Sequence, residues 1–222
     1  MVTQLRFALV AAVAASAGDL LMLYVANAQR PELGLPPPAP FVLILGALLG
    51  VAAIPLYALG YRAVARRLAE SSPRAARLVW TAGAGAAATG AVIHGLTALL
   101  IHAEVQAGAP TGSPLEAVAT WGALPLVAWC VAGVLVLVAS AAILRVGGSR
   151  ASGLPRWWAW LNPAVATLAV AVPGLASELG RSFLVPAAPN LGHAVFFGCS
   201  IVACRAGVPL QVTSRRRPDS TS

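Results

Sequence analysis

The feature that most constrains this chain is an apolar run, Phe7 to Ala26, that contains a single charged residue, Asp19. As an α-helix, these 20 residues would extend about 30 Å, which matches the hydrocarbon thickness of a bilayer. A carboxylate at such a depth costs about 2.5–3.5 kcal/mol or more, and charged residues placed there often mark a functional site. The run therefore predicts a membrane-spanning helix, and it makes Asp19 the first candidate site residue.

The rest of the chain has the composition of a membrane protein. Hydrophobic residues make up 59% of the 222 residues and charged residues only 10%, whereas a soluble domain carries about 25% charged residues. Six apolar runs are long enough to cross a bilayer, at about 5–27, 41–60, 78–102, 118–144, 157–178 and 190–206. The predicted fold class is all-α: a polytopic integral membrane protein built as a bundle of six transmembrane helices.

The arginines predict the orientation of this bundle. All 15 basic residues are arginines, and they lie outside the apolar runs or at their very ends. This placement follows the positive-inside rule, so the net charge of +8 does not indicate a nucleic-acid partner. With a cytoplasmic N-terminus, 13 arginines lie on the inner side and only Arg30 and Arg181 on the outer side. We therefore expect both termini in the cytoplasm, a multi-pass location in the bacterial plasma (inner) membrane, and a disordered basic tail over 207–222.

The first run has an alternative interpretation as a cleaved signal peptide. The tripeptide Ala15-Ser16-Ala17, just before Gly18, resembles a signal-peptidase site. The apolar run continues to Ala26, however, beyond the core of about 7–15 residues that a signal peptide needs. We therefore treat it as a retained helix.

Two ionisable residues are predicted at the same depth in the outer half of the membrane. Asp19 and His94 each lie about 12 Å from the outer ends of their helices. Side by side, each would stabilise the charged form of the other, so the pair could titrate near neutral pH and act as acid and base. The alternative is a structural hydrogen bond between the two helices, or a neutral Asp19 bonded to Ser16 or to a backbone carbonyl.

Further polar residues are predicted at the outer boundary, where they could form a rim that admits or orients a ligand head group. Ordinary interfacial polarity is the alternative. Glu178 is a candidate base, and the candidate ligand-binding residues are His102, Arg181, Asn190, His193 and, from the inner half, Tyr57.

The sequence predicts neither a metal nor a cofactor. His94 and His102 lie about 12 Å apart along one helix, too far for one ion. The three cysteines have no metal-ligand spacing, and no serine-hydrolase or phosphate-loop motif is present.

Several short motifs resemble an uncharacterised family of small bacterial six-helix integral membrane proteins. They are Gly18-Asp19, Pro155 and Trp158 before Asn162-Pro163, and Asn190-Leu191-Gly192 before Phe196-Phe197. The resemblance implies a six-helix membrane fold and no particular activity.

The leading functional hypothesis is a protein that binds an apolar small molecule or lipid in an outward-facing cavity within the membrane. Asp19 and His94 would supply its few polar contacts. One alternative is a membrane-embedded isoprenoid or lipid isomerase or cyclase that uses the same pair for acid–base catalysis. Another is a proton-coupled transporter, although the inner half offers few charges for a path. Membrane lipid is the expected partner, and a homo-oligomer is an open alternative.

Overall fold

The computed structural model describes residues 1–108, 123–147, 149 and 152–206, and these residues form helices and connections without a β-strand. The first residues of the predicted span 118–144 and the predicted tail 207–222 lie outside the described residues. The helices are α1 (Val2–Asn27), α2 (Phe41–Ala53), α3 (Tyr57–Ala69), α4 (Pro73–Ala107), α5 (Ala123–Gly147), α6 (Arg156–Trp160), α7 (Pro163–Gly174) and α8 (Val185–Ala206).

Among the described residues, five helical segments are long and apolar enough to cross a membrane. They are Val2–Asn27, Phe41–Ala69, Pro73–Ala107, Ala123–Gly147 and Gly180–Ala206. The all-α class of a helical membrane protein is therefore supported.

The predicted fifth span, 157–178, is not one continuous helix. It is divided into α6 and α7 at Asn162-Pro163, and α7 has only 12 residues. Pro163 has no N–H to continue a helix from α6. The fully buried Asn162 side chain bonds both pieces, because its Nδ2 donates to Ala159 O (3.1 Å) and its Oδ1 accepts from Val165 N (3.2 Å).

The last span begins earlier in the structure than the sequence predicted. The prediction began it at residue 190, whereas a π-helical turn, Gly180–Leu184, leads directly into α8. The chain remains helical through Pro189. Asn190 and His193 therefore lie inside a helix, and the prediction that they open it from the membrane surface is wrong.

Two other helical segments are longer than predicted. The second apolar run continues as helix to Ala69, with a 3₁₀ turn (Ile54–Leu56) at Pro55 that joins α2 to α3. The third begins at Pro73, where the Ser72 side chain accepts a hydrogen bond from Ala75 N. Both helices thus extend beyond their apolar runs into segments that contain arginines.

Glycines allow α1 and α2 to touch through their backbones. A Cβ atom added at Gly18 would lie 2.7 Å from Gly46 O, and one added at Gly46 would lie 2.8 Å from Gly18 O. Small residues permit this close approach of helices in lipid. Asp19 follows Gly18 directly, so the crossing fixes the position of its carboxylate.

We expect Gly18→Ala to destabilise the bundle by about 1–3 kcal/mol, because the new methyl group would overlap the backbone of α2. Gly133→Ala is the matched control, since a Cβ at Gly133 meets no atom within 4 Å. Thermal unfolding in detergent measures both. Equal midpoints for the two variants would contradict the close crossing.

Candidate functional site

Asp19 of α1 and His94 of α4 are in contact. His94 Nδ1 lies 3.1 Å from Asp19 Oδ1, and the side chains are 3% and 13% exposed for His94 and Asp19, respectively. The sequence placed these residues at one depth without showing whether their helices meet. The structure brings them together, with His94 the more enclosed member.

A pair of glycines in α2 makes room for His94. Its imidazole lies against Gly50, where an added Cβ would collide with the ring, and its Nε2 lies 3.1 Å from Gly46 O. Gly46 and Gly50 form a G-x-x-x-G pattern in an apolar run, which is typical of close helix contacts. Neither glycine was predicted from the sequence as part of the site, although this spacing was the signal that could have identified them.

The geometry determines how many protons the pair carries. A carbonyl oxygen can only accept, so His94 Nε2 donates its hydrogen to Gly46 O. Nδ1 then faces the carboxyl group at 3.1 Å, where two lone pairs would repel each other. One further proton therefore lies between Nδ1 and Oδ1, either on a neutral Asp19 or on a positively charged His94.

The second carboxyl oxygen of Asp19 is held by α8. Asn190 Nδ2 donates to Asp19 Oδ2 at 2.7 Å, and the hydroxyl of Tyr57 donates to Asn190 Oδ1 at 2.7 Å. Tyr57 is buried. Five helices thus contribute to one polar network around Asp19: α1, α3, α4 and α8 through side chains, and α2 through the carbonyl of Gly46.

His193 lies next to this network, and both of its ring nitrogens already have hydrogen-bond partners. Its ring stacks on Tyr57 with centroids 4.9 Å apart. Nδ1 donates to Pro189 O at 2.7 Å, so in the neutral ring Nε2 accepts from the hydroxyl of Tyr61 at 2.8 Å. His193 is therefore buried and fully bonded, and the prediction that it lies on an outer rim is wrong. Tyr61 was not predicted as part of the site.

Glu178 takes part in a different cluster, which Arg30 organises. The Arg30 guanidinium donates to Glu178 and also to Glu32 Oε1 (2.8 Å) and Ser182 Oγ (3.1 Å). These bonds to Glu32 and Glu178 raise the pKa of Arg30 above its ordinary value. The pKa of Glu32 is lowered by its own backbone amide and by Arg30. This cluster joins the segment after α1 to the segment before α8.

The remaining predicted residues also lie outside the network around Asp19. Arg181 is exposed and donates to Leu175 O at 3.0 Å, and His102 is exposed near the end of α4. In the part of the chain that the structure describes, no hydrogen bond or ion pair connects Glu178, Arg181 or His102 to Asp19 or His94. The same part of the chain contains no group of three or more His, Cys, Asp or Glu side chains that could hold a metal ion.

Comparison with known proteins gives a family for the chain. A family of unknown function, DUF6796, has a sequence model that matches residues 2–206. The chain belongs to the DUF6796 family. The predicted membership of an uncharacterised family is thereby confirmed. No curated protein matches the chain, and no solved structure matches it. The family description names no activity.

A series of substitutions at Asp19 tests the proton assignment. In Asp19→Asn, the new amide can donate to His94 Nδ1 and accept from Asn190, so we expect a stability change within about 1 kcal/mol. Asp19→Leu would leave both partners unsatisfied, at a cost of about 1–3 kcal/mol for each buried group.

The free energy of unfolding in detergent measures this difference. If both variants lose the same stability, the negative charge of Asp19, and not its hydrogen bonding, holds the helices together.

Proposed function

We propose that this protein is a six-pass membrane protein with both ends in the cytoplasm. The broken segment Arg156–Gly174 would form the sixth crossing beside the five long helical segments. Cys204, near the end of α8, lies near the amino terminus and Arg67. This proximity supports placing both ends of the chain on the same side of the membrane. The Arg30 cluster would then face the exterior, and the arginine-rich turn between α3 and α4 the cytoplasm.

Cysteine labelling tests this orientation. In a chain whose three cysteines (Cys130, Cys199 and Cys204) are replaced by alanine, Glu32→Cys should react with an impermeant maleimide in intact cells. Ser71→Cys should react only after the membrane is opened. The reverse pattern would contradict the proposed topology.

The site is proposed to bind an apolar small molecule or lipid through the ligand's polar group. The observation that carries this proposal is the contact between Asp19 and His94, which supplies both a donor and an acceptor inside an apolar bundle. Asp19 is the residue of the pair with more exposed surface, so a ligand would bind to its carboxyl group. His94, held by Gly46 O, and Asn190, held by Tyr57, would keep that carboxyl group in a fixed orientation.

A purely structural role explains the same contact less well. A hydrogen bond between helices in lipid is worth only about 0.6–2 kcal/mol, and asparagine could make it without an ionisable group. An acid in contact with a histidine at 3.1 Å can in addition share a proton with it. That property is useful for recognising a ligand that can accept or donate a hydrogen bond.

Retention of a ligand through purification tests the proposal. We expect organic extracts of the detergent-purified protein to contain an apolar compound near one equivalent per chain, measured by mass spectrometry. Asp19→Asn removes the acid, and Gly50→Ala displaces His94 because its methyl group occupies the position of the ring. Both should reduce the compound at least about ten-fold, which corresponds to losing one charge-assisted hydrogen bond.

Gly133→Ala is the control and should retain the compound. Circular dichroism and the unfolding midpoint show whether each variant is folded. Equal retention by all folded variants, or no compound in any of them, would contradict binding at this pair.

A second candidate function is acid–base catalysis on an isoprenoid or other lipid substrate, as an isomerase or cyclase. The single proton between Nδ1 and Oδ1 favours it, because a protonated Asp19 could act as acid and His94 as base. Glu178, bonded to Arg30, is then not needed as the base. Formation of a product over time by the wild type, lost in Asp19→Asn, would favour catalysis over binding.

A further inference from the structure

A groove lies between α5 and α6, at the end of the bundle that the topology proposed above places in the cytoplasm. Its volume is about 640 Å³, and it is lined by Ala141, Leu144, Arg145, Arg156, Ala159 and Trp160. The groove shares no residue with the network around Asp19, so a function for this groove is independent of the function proposed for that network.

The two helices present matching faces to this groove. Residues 141, 144 and 145 of α5 share one face, and residues 156, 159 and 160 of α6 share another, each with the i, i+3, i+4 spacing of a helix. Arg145 lies near the end of α5, and Arg156 begins α6. Ala141 lies about 6 Å deeper along α5 than Arg145. The groove is therefore cationic at its mouth and apolar further in.

The two arginines are available to a ligand. Both are exposed, and neither guanidinium forms a hydrogen bond or an ion pair with any residue that the structure describes. No carboxylate from the described residues lines the groove. Trp160, which is 66% exposed, adds a large amphipathic ring of the kind that lies at the level of lipid head groups.

We propose that this groove binds an anionic phospholipid. The phosphate and the negative head group would lie between Arg145 and Arg156, whose guanidinium groups can each form two parallel hydrogen bonds to phosphate oxygens. An acyl chain would run along Ala141 and Leu144, and Trp160 would pack against the glycerol region. Basic pockets at the cytoplasmic ends of membrane helices bind acidic lipids for these reasons.

Native mass spectrometry with defined lipids tests the proposal on the full chain in detergent. We expect phosphatidylglycerol to bind more tightly than phosphatidylcholine of the same acyl length. The double variant Arg145→Gln/Arg156→Gln should weaken phosphatidylglycerol binding about 30-fold, the effect expected for two arginines near an anionic head group. Ala141→Phe, which keeps both charges but fills the apolar part, should also weaken it.

The matched control removes the same charge elsewhere. Arg62→Gln/Arg66→Gln changes two exposed arginines of α3 that do not line the groove, and it should change binding less than about two-fold. The proposal is overturned if both lipids bind equally, or if the two double variants lose binding equally. It is also overturned if inorganic phosphate alone displaces the lipid at millimolar concentration, since a simple anion site would then suffice. The unfolding midpoint of each variant shows whether a variant that loses lipid binding is still folded.

Discussion

The backbone contact between α1 and α2 is the constraint on which the polar centre depends. Gly18 and Gly46 lie so close that a side chain on either would overlap the other's carbonyl oxygen. Gly50, one turn further along α2, leaves a space that the imidazole of His94 fills. Because these three positions carry no side chain, the carboxyl group of Asp19 in α1 and the imidazole of His94 in α4 can meet beside α2.

The two histidines near this contact carry their hydrogens on different ring nitrogens. His94 carries a hydrogen on Nε2 because it faces the carbonyl of Gly46, whereas neutral His193 carries its hydrogen on Nδ1 because it faces the carbonyl of Pro189. The second ring nitrogen of His193 is occupied by Tyr61, and that of His94 faces Asp19. Two histidines in one bundle therefore differ in role: one is a closed structural link, and the other shares a proton with an acid.

The sequence was sufficient for the class of fold and for the choice of Asp19 and His94 as a candidate pair. The length of the apolar runs and the depths of Asp19 and His94 are local properties, and they can be read from residue counts. The contact of these residues depends on how three helices cross, which residue counts do not give. The predicted start of the last span at residue 190 was too late, because the chain is already helical from Gly180, and this placed His193 too near the end of its helix. The pairing of Glu178 with Arg30 joins segments 148 positions apart in the chain, and no local pattern predicts it. The functional roles of these residues stay predictions.

The division of the chain at Asn162 has a consequence for the membrane that surrounds the protein. With 12 residues, α7 is about 18 Å long, well short of an average hydrocarbon layer of about 30 Å. Its exposed Leu168 and Val172 would face acyl chains in the proposed sixth crossing. A bilayer bordering a short apolar surface becomes thinner or tilts the protein, so this crossing would match the bilayer only with α6 continuing it beyond Asn162. The Asn162 side chain, which bonds both pieces, would therefore also set the height of the apolar surface on this side.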